Sequence, residues 1–165
     1  MNAEPSKHKH HHLQRVCYVG EVCVSITACI EPGRPVFEKS DIAATFTDFL
    51  RDAATRSQCI VPVYCFMPEH LHTIIKGLSQ SSDSWRAVAR FKQRTGFWFS
   101  KHSKASWQKD FYDHIVRHDE DLANQVRYIA NNPVRRGLVK NWEEYPYTGS
   151  IGMNLKELLS DIQTT

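Results

Sequence analysis

Residues 66–75 read Phe66-Met67-Pro68-Glu69-His70-Leu71-His72-Thr73-Ile74-Ile75. The preceding residues 59–66 are rich in Val, Ile, Tyr and Phe, and residues 73–75 are β-branched, so two strands joined by a turn at 67–69 are predicted. Because side chains alternate faces along a strand, His70 and His72 should share one face, with their Cα atoms about 7 Å apart. Two such imidazoles can bind one divalent cation, with a third protein ligand from elsewhere. Two half-exposed histidines on a strand that binds no metal would show the same pattern.

The segments around this stretch predict the order β-α-β-β-α-β-α. The hydrophobic patterns place strands at 18–30 and 111–116, the latter with a possible start near Trp107. They place helices from Ser40 or Asp41 to about 57, at 85–102 behind a cap at Asp83 or Ser84, and at 119–131. Strands separated by two helices favour an α+β, ferredoxin-like fold with a central antiparallel β-sheet backed by helices.

The chain length and composition predict one folded domain. The 165 residues, 41% hydrophobic and 24% charged, suit a globular core. We expect a flexible His/Lys-rich segment at 1–13, the principal domain at 14–150 and a helical tail at 151–165. The formal net charge of +3 permits a phosphate-bearing partner.

The five cysteines and the hydropathy indicate the compartment. An odd cysteine count with no signal peptide favours reduced thiols in a cytoplasm. Cys17, Cys23 and Cys29 are evenly spaced and are predicted on one strand face, packing as small apolar groups. No apolar run in the sequence reaches the length of a membrane span, so no membrane partner is expected.

The predicted helix at 119–131 has a polar flank beside its apolar stripe. Leu122, Val126 and Ile129 form the stripe, and Tyr128 and Asn132 lie one turn apart on its flank. If this flank faces the histidines, His70, His72 and the Asn132 amide oxygen could bind a hard cation, Mg²⁺ or Mn²⁺.

A tyrosine beside such a cation suits phosphodiester cleavage. The Tyr128 phenolate would attack in line, leaving a 5′-phosphotyrosine and a free 3′-hydroxyl. Alternatively, Tyr128 could be an aromatic residue at the boundary of the core, and Asn132 a residue at the C-terminus of the helix, without any catalytic role. Tyr112, on the predicted strand 111–116, is the rival nucleophile, although it could simply pack against a helix. A helical nucleophile can also move relative to the sheet.

The helix at 85–102 is basic. Arg86, Arg90, Lys92 and Arg94 are predicted to contact a DNA backbone, and only one acid lies between Gln80 and Ala105, so salt bridges are not expected. Neighbouring aromatic residues, such as Phe97 and Trp98, could stack on unpaired bases or pack in the core. A solvated helix face is the alternative for the charges.

Three motifs together resemble a known family. The stretch 66–72 is similar to the metal motif of HUH single-tyrosine (IS200-like) transposases. Two further motifs resemble a narrower group, the REP-associated tyrosine transposases. They are Trp107-Gln108 and Phe111-Tyr112-Asp113-His114 with Arg117, and the run Tyr128-Ile129-Ala130-Asn131-Asn132-Pro133-Val134-Arg135-Arg136-Gly137-Leu138-Val139. The likeness covers roughly residues 16–150.

This resemblance implies a metal-dependent single-stranded DNA endonuclease and strand transferase. It implies His70, His72 and Asn132 as Mg²⁺ or Mn²⁺ ligands, Tyr128 as the nucleophile, and Arg117 among the DNA contacts. The implied partner is single-stranded DNA with palindromic hairpins, in a bacterial cytoplasm and at the nucleoid through that DNA. The protein is expected as a monomer or homodimer.

Two other functions remain open from the residues. The chain could be a catalytically silent hairpin DNA-binding protein on the same fold. A two-histidine phosphoesterase would need two His-x-Thr/Ser motifs, whereas His72 is followed directly by Thr73 and no second copy occurs.

Overall fold

A computed structural model of the chain describes residues 12–31 and 34–162, apart from the side chains of Glu120 and Ile162. Most of the predicted flexible segment, residues 1–11, lies outside the described residues. His12 and Leu13 are described and both contact Asp113, with His12 Nδ1 2.7 Å from a carboxylate oxygen. The folded part therefore includes these two residues.

The described strands form a six-stranded antiparallel sheet. Its path is β4-β1-β3-β2-β6, with β5 also paired to β1. The strands are β1 (Cys23–Glu31), β2 (Cys59–Met67), β3 (His70–Gly77), β4 (Ser106–Trp107), β5 (Tyr112–Val116) and β6 (Thr148–Ile151). The predicted α+β fold with a central antiparallel sheet is confirmed.

Helices cover both faces of this sheet. They are α1 (Ser40–Arg56), α2 (Ser84–His102), α3 (Asp119–Ala130), the short α4 (Asn132–Arg135) and α5 (Leu155–Ile162). On one face, α1 and α2 pack through Phe46 and Phe91 on apolar strand residues such as Ile26, Leu71 and Ile75. On the other face, α3 and α5 pack on β2 and β3 through a second buried cluster that includes Val126, Ile129 and Leu159.

The second face is called the histidine face below, because alternation along β3 places His70, His72 and the core residue Ile74 on it. Helix α3 contacts the sheet mainly at β2 and less at β3, and it also packs against α5. The part of the histidine face formed by β1 and β5 carries exposed or half-buried side chains, among them Thr27, Tyr112 and His114. The histidines therefore lie beside an open polar surface.

The first strand begins later than predicted. Residues 15–18 form a 3-10 turn, and Gly20 has a φ of 98°, which interrupts the extended backbone before Cys23. Cys17 consequently does not lie on the strand face of Cys23 and Cys29, and that prediction is wrong. Within β1, the alternating residues Val24, Ile26 and Ala28 are buried.

The remaining cysteines and the caps also refine the prediction. Cys59 and Cys65 are buried, whereas the other three thiols are half-buried, and all five are free. Asp83 caps α2 by accepting the Arg86 N–H, as predicted. Ser40 is instead the first residue of α1, whose cap residue Lys39 makes no side-chain bond.

Candidate active site

The imidazole rings of His70 and His72 meet on the histidine face. Their Nε2 atoms are 2.9 Å apart, and the ring planes are nearly perpendicular, at 83°. Both residues lie at the start of β3, where the register with β1 pairs them with Cys29 and Thr27. The predicted shared face is confirmed.

The opposite ring nitrogens are occupied by polar neighbours. Thr27 Oγ1 is 2.8 Å from His72 Nδ1, and Glu69 Oε1 is 3.4 Å from His70 Nδ1. In metal sites, a hydroxyl or carboxylate at one imidazole nitrogen orients the ring and directs the other nitrogen to the ion. The two Nδ1 contacts therefore leave both Nε2 atoms directed at one common point.

Both histidines are held neutral by their surroundings. Burial and, to a smaller extent, the neighbouring His70 lower the pKa of His72 to about 4, against the opposing effect of Glu69. Burial also lowers the pKa of His70, against the opposing effect of Glu69. Neutral imidazoles keep the lone pair that metal coordination and hydrogen-bond acceptance require.

The spacing of the pair fits a small divalent cation. Adjacent ligands of an octahedral ion with bonds of about 2.1 Å lie about 3 Å apart, which matches the 2.9 Å between the Nε2 atoms. Within the described ranges, no group of three or more His, Cys, Asp or Glu side chains is arranged to hold a metal. An amide oxygen or water would have to supply the further ligands.

Asn132, the predicted third ligand, lies at the start of α4 and is 8% exposed. Its Nδ2 is buried and has no hydrogen-bond partner in the described part of the chain. Buried amides are normally paired, so Asn132 has incomplete hydrogen bonding in the segment that follows α3.

An ion pair joins that segment to the histidine hairpin. Arg136, directly after α4, pairs with Glu69, the carboxylate beside His70. Burial would raise the pKa of Glu69, but the hydrogen bond and positive charge of Arg136, together with the neighbouring His70 ring, hold it below its usual value. The carboxylate is therefore ionised at neutral pH and links the two motifs.

Tyr128 lies at the exposed flank of α3, as predicted. Val126 and Ile129 are buried, whereas Tyr128 is 49% exposed and its ring lies 4.3 Å from the Arg135 guanidinium carbon. Two turns earlier on this flank, Asp121 lines a groove of about 260 Å³ together with His114 on β5. The flank thus borders the open part of the histidine face.

Tyr112 lies on the same face as the histidines. The register of β5, β1 and β3 places Tyr112, Thr27 and His72 in one cross-strand row. Two strand spacings separate the Tyr112 and His72 backbones by about 10 Å. Tyr112 is 48% exposed, and it is Phe111 that packs towards Trp85. Tyr112 therefore stays a geometric rival of Tyr128.

The basic residues of α2 contact oxygen atoms of the protein. Arg94 pairs with Asp52 on α1, and Arg86 lies 3.4 Å from Asp83. The expectation that this helix is not salt-bridged is therefore wrong, because the partners come from α1 and from the helix cap.

Two further α2 cations bind backbone carbonyls. Arg90 donates to the Arg56 carbonyl at 3.0 Å, and Lys92 donates to the Gln108 carbonyl at 2.8 Å. Burial lowers the pKa of Lys92. Since α2 packs on the face of the sheet opposite the histidines, these cations and the histidine pair lie on different sides of the molecule.

Arg117 lies on the side of the histidines. It lines a groove of about 300 Å³ with Lys76 and His118, between β3, β5 and the start of α3. Thr27, Glu69 and Arg136 were not predicted as site residues. Strand alternation could have suggested Thr27 only if the β1–β3 register had been known.

Residues 19–132 match the family described as Transposase IS200 like. The chain therefore belongs to the IS200-like transposase family. Among its members, it resembles REP-associated tyrosine transposases, as the motifs predicted.

Individual relatives give the extent of that likeness. The REP-associated tyrosine transposase of Escherichia coli (strain K12) is 29% identical over 118 residues, which make up 67% of this chain and 68% of the relative. A Haemophilus influenzae relative, also named for the REP-associated tyrosine transposases, is 31% identical over 98 residues. That match spans 51% of this chain and 54% of the relative, so it covers about half of that protein.

The fold is shared with a solved structure of a REP-associated tyrosine transposase bound to a REP hairpin. The TM-score is 0.63 at 23% identity, over 84% of this chain and 81% of that one. Among the residues described for this chain, no helix is long and apolar enough to span a membrane.

Proposed function

We propose that this protein is a metal-dependent, single-strand-specific DNA endonuclease and strand transferase. In this proposal it binds a palindromic hairpin and cleaves the adjoining strand through a transient 5′-phosphotyrosine at Tyr128. The observation that carries the proposal is the convergence of two neutral imidazoles on the histidine face, with their Nε2 atoms 2.9 Å apart. The hairpin is proposed because the related structure contains one.

His70, His72 and the Asn132 amide oxygen are the proposed ligands of Mg²⁺ or Mn²⁺. A bound divalent ion would polarise a phosphoryl oxygen and offset the negative charge that develops there. Thr27 and Glu69 would hold the two imidazoles in orientation. The assignment of Asn132 rests on its position directly after α3 and on its amide oxygen, a ligand type that suits Mg²⁺ and Mn²⁺.

Tyr128 is the proposed nucleophile. Its phenol oxygen loses a proton to solvent and attacks the phosphorus, the P–O3′ bond breaks, and the leaving 3′ oxygen takes up a proton. The 3′-hydroxyl of another strand can then attack the phosphotyrosine in the reverse sense, which restores the phenol. One phosphodiester bond is exchanged for another, so no external energy source is required.

Arg86 and Arg117 remain the proposed phosphate contacts on opposite sides of the sheet. The Arg86 side chain is 69% exposed, and Arg117 shares its groove with Lys76. Arg90, Lys92 and Arg94 would have to leave their oxygen partners before binding phosphate. Whether the protein acts as a monomer or homodimer stays a prediction.

The test compares Tyr128→Phe with Tyr112→Phe on hairpin-bearing single strands in Mn²⁺. The adduct is followed on a denaturing gel with label on the fragment that retains the 5′-phosphate. Tyr128→Phe should lose the adduct and keep hairpin affinity, whereas Tyr112→Phe should keep both. Adduct formation only by Tyr128→Phe would transfer the role to Tyr112.

A second variant tests the metal ligands. His70→Ala combined with His72→Ala should abolish cleavage but preserve most hairpin affinity. Full cleavage by this double variant in the presence of a chelator would refute the metal assignment. Hairpin binding without cleavage by the unmodified protein, in either metal, would instead favour the silent DNA-binding function.

A further inference from the structure

A groove on the outer side of α2 combines exposed aromatic rings with positive charge. It lies between α1 and α2 and has a volume of about 460 Å³. Its main lining residues are Phe49, Arg94, Phe97, Trp98, Lys101 and His102. This set is called the aromatic groove below.

The aromatic rings of this groove are available to a ligand. Phe97 is 66% exposed, whereas Phe99, two residues on, is buried in the core. Trp98 packs on the core edge and lies 4.6 Å from the His102 ring centroid, with a tilt of 30°. Phe97, Trp98 and Phe49 line one groove, and a contiguous apolar patch with a polar rim is typical of an interaction site.

The charges around these rings have one sign. Lys101 Nζ lies 5.4 Å from the Phe97 ring centroid, and the Arg94 guanidinium lies over Phe49 at 4.6 Å. None of the described lining residues is acidic, although Asp52 outside the groove pairs with Arg94. Flat apolar rings beside cations suit a ligand with flat rings and regularly spaced negative charge.

Single-stranded nucleic acid has this chemistry. Unpaired bases stack on aromatic side chains, and the phosphates between them bind Lys and Arg. In a duplex the base faces are already stacked on one another, so duplex DNA cannot offer them to Phe97 or Trp98. We infer that the aromatic groove binds single-stranded DNA.

The position of the groove decides which DNA segment it can hold. It lies on the α1–α2 side of the sheet, opposite His70, His72 and Tyr128. The cleaved phosphodiester therefore cannot occupy it. Resting on the proposed function, the groove holds an unpaired strand that flanks the hairpin and passes around the edge of the domain.

The test measures affinity for three DNA probes: a blunt hairpin, the same hairpin with single-stranded tails of increasing length, and a plain oligothymidylate. Phe97→Ala should weaken binding to the longer-tailed hairpin and to oligothymidylate by about tenfold or more. Affinity for the blunt hairpin should stay unchanged. Lys101→Ala should lower the slope of log affinity against log salt by about 0.7 on oligothymidylate.

Leu78→Ala is the matched control, since Leu78 is an apolar side chain 55% exposed in the loop after β3. It should change none of the three affinities. Circular dichroism of each variant checks that the helices are intact.

Unchanged binding of tails and oligothymidylate by both groove variants would overturn the inference. So would a fall in oligomeric mass of Phe97→Ala in analytical ultracentrifugation, because the groove would then be an interface between two copies. If the unmodified protein binds oligothymidylate through the groove but ignores hairpins, the proposed function fails and the groove assignment stands. If it binds neither DNA, both fail.

Discussion

Replacing Thr27 by valine tests the orientation of His72, one of the two histidines proposed to bind metal. Valine keeps the shape and β-branching of threonine but removes the hydroxyl that lies 2.8 Å from His72 Nδ1. Thr27 is half-buried within β1, where a β-branched residue suits the strand. The fold should therefore be retained while His72 Nδ1 loses its contact with the Thr27 hydroxyl.

Two effects of this change can be sized from the structure. The lost hydrogen bond is neutral and partly buried, so the free energy of unfolding should fall by about 1 kcal/mol. Loss of a partner that orients a metal-binding histidine typically weakens metal affinity about 10- to 100-fold. That range corresponds to about 1.4–2.7 kcal/mol of binding free energy. The effect on metal binding should thus exceed the effect on folding.

The assay is Mn²⁺ binding, followed by titration calorimetry or by the EPR signal of free Mn²⁺, without DNA. Thr27→Ser is the control, because serine retains a hydroxyl at Cβ and should recover most of the affinity. Unfolding in urea gives the stability of each variant separately. Mn²⁺ affinity that is the same in Thr27→Val and the unmodified protein would refute the orienting role, whatever the change in stability.

Three other predictions concern stability. Without metal, the free energy of unfolding should be greatest above about pH 6.5 and fall towards pH 4, because the pKa of His72 is about 4 in the folded protein and the unfolded chain takes up the proton first. In urea unfolding, His72→Gln should show a weaker fall with pH. Equal pH profiles of the variant and the unmodified protein would contradict this assignment. Arg136→Gln breaks a partly exposed ion pair with Glu69, so the free energy of unfolding in urea should fall by less than about 1 kcal/mol. A much larger fall would show that this ion pair contributes more to stability than an exposed pair does. Gly77→Ala would place a Cβ 1.9 Å from the Gly20 carbonyl oxygen and should lower the melting temperature markedly. In contrast, the added methyl of Gly96→Ala on α2 meets no atom within 4 Å, so this change should raise the free energy of unfolding by about 1 kcal/mol. An unchanged melting temperature of Gly77→Ala would show that the backbone contact relaxes easily.

The shared face of the histidines could be predicted because strand alternation depends only on local sequence. His70-Leu71-His72 in a β-rich segment fixes which side chains share a face, whatever the neighbouring strands are. The apolar stripe Leu122, Val126 and Ile129 is similarly local, and it placed Tyr128 on the exposed flank of α3. These predictions were right because the periods of helices and strands are set by the backbone.

Features that depend on strand pairing could not be read in the same way. Thr27 lies 45 residues before His72, and only the β1–β3 register brings the two side chains together. The salt bridges of α2 have the same origin. Asp52 belongs to another helix, so counting acids within the α2 sequence overlooked it.

Weak local patterns account for the missed elements. The strand β6 has only four residues, Thr148–Ile151, two of them polar and one a glycine. Gly149 lies against the Tyr64 side chain, where an added Cβ would be 2.6 Å from the hydroxyl. A short edge strand held by such a close approach has little alternation for a sequence pattern to reveal.

The contacts of α3 constrain how Tyr128 can move in the proposed strand transfer. Val126 and Ile129 are buried against the sheet, and each contributes about 1.5–3 kcal/mol of burial energy that would be lost if the helix moved away. The Arg136 ion pair near its end contributes less, about 0–1 kcal/mol. By contrast, releasing the phenol ring from the Arg135 guanidinium costs about 0.5–1 kcal/mol at an exposed site. Rotation of the Tyr128 side chain is therefore a less costly way to reposition the proposed nucleophile than movement of α3, which the sequence had suggested as the mobile part.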